Sequence, residues 1–215
     1  MQFSKTLKEL REKSKKRGFD QTLDLIINLK DFDPKRESLS VVVSLPYPFK
    51  KKKIAAFLEN PIKSDTLEKV ILKADLEKIT PKEIKRLVKK IDFFIANAKL
   101  MPLIASKFGK IFGSSGKMPD PTIGCIISQE DVETIKNVCE KLNKITKIKI
   151  KEASIKMAVG KESMNDEMLL KNLEEAFKTI IEKLPKKELN VKDVMLKFTM
   201  SPALKVKNEN DKENA

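Results

Sequence analysis

The chain has no histidine and no tryptophan, one tyrosine, two cysteines and six glycines in 215 residues. Each scarcity excludes something. Without histidine the commonest metal ligand and the usual general base are missing, and catalysis would fall to carboxylates, lysine or cysteine. Two cysteines, Cys125 and Cys139, cannot build a disulfide framework, so a reducing compartment is expected. With no third cysteine they make no zinc site either, and Cys139 falls on an apolar helix face as a small buried side chain would. No stretch approaches the roughly 20 apolar residues of a membrane span, and Met1 to Arg17 lacks the apolar run of a signal peptide.

What is present in excess is positive charge. There are 45 Lys+Arg against 31 Asp+Glu, a formal net charge of +14, which points to a polyanionic partner, most often nucleic acid. Hydrophobic residues make up 40% of the chain, enough for a real core. The length suits one large domain or two small ones.

The hydrophobic spacing changes twice along the chain. Phe3, Leu7 and Leu10 recur at i, i+4, i+7 and predict an amphipathic helix over 3–16, ended by Gly18. From Phe19 to Lys30 the period is two, with Leu23, Leu25, Ile27 and Leu29 on one face. Asp31-Phe32-Asp33-Pro34 reads as a turn, and Leu39, Val41, Val43 and Leu45 as a second strand expected to pair with the first. Pro46-Tyr47-Pro48 and Lys50 to Lys53 break this pattern. Ile54 to Leu58 is then a continuous apolar strand of the kind covered on both faces. A helix is expected over Ser64 to Lys73. Thr80-Pro81-Lys82-Glu83 signals a capped helix start. Asp92 to Ala96 is another apolar strand, Leu100 to Phe108 a short helix, and Ser128 the cap of a helix carrying Val132, Ile135, Cys139 and Leu142. Strands alternating with helices imply a parallel sheet with helices on both sides. After residue 145 the first spacing returns: Ile148 and Ile150, then Ile155, Met157 and Val159, a helix over 165–184, and a last strand from Asn190 to Thr199. The tail from Lys207 is polar and expected to be disordered. The economical architecture is an α+β domain of 1–49 and 146–215, an antiparallel sheet with two helices, hosting an inserted three-layer α/β domain of 50–145, with a hinge at the two crossings.

Few motifs carry chemistry. The segment from Phe108 to Pro121 holds three of the six glycines beside lysines, a mixture suited to phosphate. It fails the P-loop pattern, which needs glycine at Ile111 and Ser or Thr at Met118; an ordinary surface loop is the plainer alternative. Lys50–Lys53 and Lys147, Lys149 and Lys151 could track a phosphate backbone or merely be solvated. Thr199-Met200-Ser201-Pro202 either meets an RNA backbone or closes the domain as a turn. An α/β enzyme would place its site at the strand ends of the central domain, where only the 108–121 segment offers a candidate, without paired acid–base groups.

Taken in order, a set of segments resembles the ribosomal protein L-one family of the large subunit, in its archaeal branch. They are Phe19-Asp20-Gln21-Thr22-Leu23-Asp24, Asn28-Leu29-Lys30-Asp31, Asp92-Phe93-Phe94-Ile95-Ala96, Leu100-Met101-Pro102-Leu103, Gly116-Lys117-Met118-Pro119, Val159-Gly160-Lys161-Glu162-Ser163-Met164 and Thr199-Met200-Ser201-Pro202. The resemblance spans about residues 18–206. It implies a split domain with an inserted Rossmann-like domain, and a non-catalytic, cofactor-free protein of the cytoplasmic ribosome, monomeric there. Such a protein binds rRNA at the mobile stalk near the tRNA exit site, assists release of deacylated tRNA and represses its own mRNA. The alternative is a non-ribosomal RNA-binding translational regulator. Carried over by position, the rRNA-binding candidates are Phe19, Thr22, Asp24, Lys156, Lys161, Lys197, Thr199, Met200 and Ser201. Gly116, Lys117, Met118 and Pro119 are candidates for a second contact, to rRNA or tRNA. Two departures stand out. Ser201 replaces the family's usual glycine, and Gly113-Ser114-Ser115-Gly116 replaces Gly-Pro-Arg-Gly, losing a guanidinium that could clamp phosphate.

Overall fold

The two kinds of hydrophobic spacing produce two kinds of sheet. The structure is a computed structural model and describes residues 2–33, 39–62, 66–150 and 152–207. Its elements run α1 (Phe3–Lys13), β1 (Thr22–Leu29), β2 (Ser40–Ser44), β3 (Ile54–Leu58), β4 (Lys69–Leu72), α2 (Lys73–Lys78), α3 (Pro81–Lys90), β5 (Phe93–Asn97), α4 (Met101–Ser115), β6 (Ile126–Ile127), α5 (Val132–Lys144), β7 (Ile145–Lys149), β8 (Ser154–Lys161), α6 (Asp166–Lys183), β9 (Val191–Phe198) and β10 (Leu204–Lys205). The chain divides into two compact units, Met1–Phe49 with Lys144–Ala215, and Lys50–Asn143. The return crossing precedes β7, because β7 pairs along its whole length with β2. The expected tail from Lys207 lies, after that residue, outside the described part, as do Pro34, Ser64 and Lys151.

In the first unit the sheet order is β10-β9-β1-β8, all antiparallel, with β2 and β7 forming a separate two-stranded sheet. The strict alternation of β1 puts Leu23, Leu25, Ile27 and Leu29 in the core. There they meet Phe3, Leu7 and Leu10 of α1 and Leu169, Leu173 and Ile180 of α6. Phe3 and Phe177 meet edge to face, 5.6 Å between centroids. The expected pairing of the second strand with the first is corrected: β2 pairs with β7. Both ladder edges of β1 are already taken by β8 and β9 over nearly its full length. The stripe Val41, Val43 and Leu45 reaches the same core without joining that sheet.

The second unit is a parallel sheet of order β4-β3-β5-β6. Every residue of β3 is buried, as a strand covered on both faces requires. On one face Phe57, Phe94 and Phe112 cluster with centroids 4.9–6.0 Å apart. The helix expected over Ser64 to Lys73 is corrected: residues 69–72 are strand β4 and helix begins only at Lys73. Leu67, Val70 and Ile71 have helical spacing, yet Val70-Ile71-Leu72 finds backbone partners beside β3, and that ladder outweighs the local pattern. Helix α3 starts as read, with Thr80 Oγ1 accepting the Glu83 N–H and Glu83 accepting the Thr80 N–H, a reciprocal cap. The last helix of this unit starts at Val132, not Ser128, and Val132 is exposed. The residues before it serve another purpose. Glu130 reaches the carboxyl ends of β3 and β5, accepting from the Glu59 and Asn60 N–H groups at 2.7 and 2.9 Å and from the Asn97 amide at 2.7 Å. Those are the strand ends beside which open α/β sheets ordinarily take a ligand, and here Glu130 ties them together.

Candidate nucleic-acid interface

The side of the β10-β9-β1-β8 sheet away from α1 and α6 stays half-buried or exposed. Thr22, Asp24, Ile26 and Asn28 run down its middle, since they are the out-of-phase residues of β1. Register fixes their neighbours: Asp24 lies opposite Lys197 of β9, and Ile26 opposite Lys156 of β8. Lys156 and Lys161 differ by an odd number of residues and should face opposite sides. They do not, because the β1–β8 register shifts between Leu23 and Asp24, pairing Leu23 with Gly160 but Asp24 with Ala158. The extra residue in β8 turns Lys161 to the open side, opposite Thr22. Gly160 permits this, because a Cβ there would collide with Leu169.

Lys161 Nζ donates to Thr22 Oγ1 at 3.0 Å and to the Asp20 carbonyl at 3.2 Å. The Thr22 N–H donates to Thr199 Oγ1 at 3.0 Å, fastening the end of β9 to the start of β1. Phe19 and Met200, in the connections before β1 and after β9, are 51% and 59% exposed. Burial pushes the Asp24 carboxyl above its ordinary value, with Lys197 and then Lys161 drawing it partly back. Thr22, Asp24, Lys156, Lys161 and Lys197 thus share one side of one sheet, Thr199 is bonded at its edge, and Phe19 and Met200 are exposed in the adjoining connections.

Ser201 is placed differently. It is 8% exposed, with its Oγ accepting the Phe198 N–H at 2.9 Å. Its backbone is not in the left-handed region, so serine sits there without strain where glycine is usual. Its hydroxyl holds the turn rather than facing solvent.

The Gly116-Lys117-Met118-Pro119 segment also turns inward. The expected short helix continues to Ser115 as α4, so Gly109 and Gly113 are helical rather than part of a loop. Ile104, Phe108 and Phe112 are buried along one stripe of that helix, and their burial outweighs roughly 1 kcal/mol per glycine. Gly116 ends it at φ 69°. Lys117 Nζ then donates to the carbonyls of Val88 and Ile91 at 2.7 and 2.6 Å, capping the carboxyl end of α3. Met118 packs on the core and Pro119 is buried.

The lysine run is also partly engaged. Lys53 pairs with Glu68 at 3.0 Å and Lys50 with Asp92 at 3.7 Å. Lys52 lies 5.2 Å above the Phe93 ring. Burial lowers its pKa to about 8, against the pull of Asp92. Among the described residues no His/Cys/Asp/Glu group could hold a metal ion, and no helix is long and apolar enough to cross a membrane.

Several supporting residues have roles that the sequence does not reveal. Asp20 accepts from the Ser163 N–H and hydroxyl at 3.1 and 2.9 Å. Arg11 donates to Asp166 at 2.7 Å and to the carbonyls of Glu162 and Met164 at 3.0 and 2.9 Å, pinning the loop after β8. Both act across sequence separations above 140 residues, which no local pattern encodes.

An exposed sheet face with lysines, hydroxyls and two projecting apolar side chains suits a ribose–phosphate surface. The sequence pattern of the ribosomal protein L1p/L10e family matches residues 10–202. The chain belongs to that family. It is 36% identical over 210 residues to the large ribosomal subunit protein uL1 of Pyrococcus abyssi, covering 94% of this chain and 93% of that one. To the protein of the same name from Nanoarchaeum equitans it is 33% identical, covering 93% and 97%. To that of Methanocaldococcus jannaschii it is 32% identical, covering 96% and 95%. The family is one of ribosomal proteins, not enzymes.

Proposed function

We propose that the chain is a structural protein of the large ribosomal subunit in the cytoplasm. It would hold a folded segment of rRNA against the open side of the β10-β9-β1-β8 sheet. The observation that carries this is the gathering of Lys156, Lys161, Lys197 and Thr22 on one side of the sheet, with Thr199 bonded at its edge and Phe19 and Met200 exposed in the adjoining connections. Lysines supply phosphate attraction. Thr22 and Thr199 set the edge that meets 2′-hydroxyls, while Phe19 and Met200 offer apolar contact to exposed sugars and bases. Ser201 acts from below, through the turn. The main contact is assigned to this face; in the inserted Rossmann-like unit Lys117 serves the carbonyls of Val88 and Ile91.

The family resemblance supports the finer assignment: the mobile stalk near the exit site, contact with departing deacylated tRNA, and repression of the protein's own mRNA. Titration against large-subunit rRNA tests the core of the proposal. With Lys156, Lys161 and Lys197 neutralising one phosphate each, log affinity should fall with log salt at a slope of about −2 to −3. The rRNA should be preferred over bulk RNA by about a thousandfold or more. A flat salt response, or equal binding of bulk RNA, counts against it. A messenger fragment bound more tightly than the rRNA would favour a regulator outside the ribosome.

A further inference from the structure

Gln21 stands between two residues of the RNA-facing rim, yet its own side chain is 1% exposed. Its Oε1 accepts the Met200 N–H at 3.0 Å. Its Nε2 lies 3.0 Å from Glu162 Oε2, 3.1 Å from Ser14 Oγ and 3.4 Å from the Lys15 carbonyl. Its main-chain carbonyl accepts the Glu162 N–H at 2.8 Å. One carboxamide therefore touches the α1–β1 connection, the β8–α6 loop and the turn after β9. Only Asn and Gln side chains offer a carbonyl acceptor and an NH2 donor together, and both ends are in use.

We propose that Gln21 is a positioning residue for the RNA face, on the footing of the function given above. It turns the Met200 N–H inward, which leaves the Met200 side chain standing out, and it does so beside the Thr22–Thr199 hydrogen bond. The direction of Met200 and the height of Thr199 are therefore set by a residue that itself meets no RNA. Glu162 is its counterpart. A carboxylate there accepts from Nε2, so the pair is polarised in one sense only: amide on Gln21, carboxylate on Glu162.

That polarity gives the test. In Gln21→Glu the new carboxylate still accepts from Met200 but faces the Glu162 carboxylate with no proton between them. Exchange of the Met200 amide in the free protein should accelerate. Affinity for large-subunit rRNA transcribed from the source genome should drop about tenfold at neutral pH. The salt slope should not change, since no phosphate contact is lost. Adding Glu162→Gln restores a donor from the opposite side, and the double variant should recover to within about threefold of the wild type. Glu162→Gln alone, in which the Gln21 amide still meets a carbonyl, should bind nearly as the wild type. A Gln21→Glu protein that binds as tightly as the wild type overturns the positioning role. So does a double variant that regains its thermal midpoint but not its affinity. If Gln21→Glu does not fold, the folded double variant decides alone, its affinity either recovered or lost. Wild-type protein that fails to bind the rRNA overturns the RNA function and this role with it. Unchanged Met200 exchange in Gln21→Glu, with normal wild-type binding, overturns this role only.

Discussion

Two segments of this chain read alike and behave oppositely. Gly116-Lys117-Met118-Pro119 and Thr199-Met200-Ser201-Pro202 each follow a regular element, carry a methionine and end in proline. At the second, Met200 is 59% exposed and Thr199 lies at the rim of an open sheet face. At the first, Met118 packs on the core, Pro119 is buried and the lysine ammonium meets two carbonyls. The difference lies in what each element leaves unsatisfied nearby. Helix α3 ends close to Gly116-Lys117, and a helix end presents carbonyls without intrahelical partners, which a neighbouring ammonium satisfies. The end of β9 offers no such demand, because Ser201 and Gln21 already serve the Phe198 and Met200 N–H groups from inside. The outward side chains there remain available to a partner.

The widest separation between the two segments should come from their effects on RNA. Replacing Thr199 and Met200 together by Ala removes a rim hydroxyl and an apolar contact. Affinity for the rRNA should fall roughly 10- to 100-fold, from the loss of about 1.4–2.8 kcal/mol, with little change in the thermal midpoint of the inserted unit. Lys117→Met should do the converse. Leaving the Val88 and Ile91 carbonyls without their charged donor should cost about 1–3 kcal/mol of stability, read as a lowered denaturation midpoint, with RNA affinity intact. A Lys117→Met protein of normal stability and weakened RNA binding would erase the contrast.

Much of this was legible beforehand, and the remainder has identifiable causes. Alternation in β1 told which residues face the core, the unbroken run in β3 told of cover on both sides, and Thr80 to Glu83 marked a helix start. These are features of single segments. What escaped depends on neighbours. The partner of β2 was decided by the occupied edges of β1. Strand β4 has helical spacing but an available ladder. The continuation of α4 through two glycines followed from Phe108 and Phe112 reaching a common core. In the interface, Thr22, Thr199 and Met200 came from motif resemblance, but periodicity would have put Lys161 on the wrong face, because one bulge reverses its phase. Gln21 stood inside a quoted motif with no role given, and only the three loops that meet it show what it does.

The smallest expected effect concerns Asp24, the acid in the middle of the open face, and it measures how close phosphates come to that residue. Asp24 lies opposite Lys197, and burial holds its pKa above the usual 3.8 despite Lys197 and Lys161. A carboxyl raised in the folded state contributes stability that is fully present below its unfolded pKa and is lost as pH rises through the folded one. At neutral pH its charge is therefore a mild burden, and Asp24→Asn should be as stable as the wild type or slightly more so. The gap should close as pH falls toward 3.8. An approaching phosphate disfavours the charge further and raises the pKa again. RNA binding should then take up a fraction of a proton, so wild-type affinity should rise more steeply than that of Asp24→Asn as pH is lowered toward 3.8 at constant salt. Parallel pH profiles for the two proteins would mean that no phosphate comes close to Asp24, moving the RNA path toward Lys156 and away from Thr199.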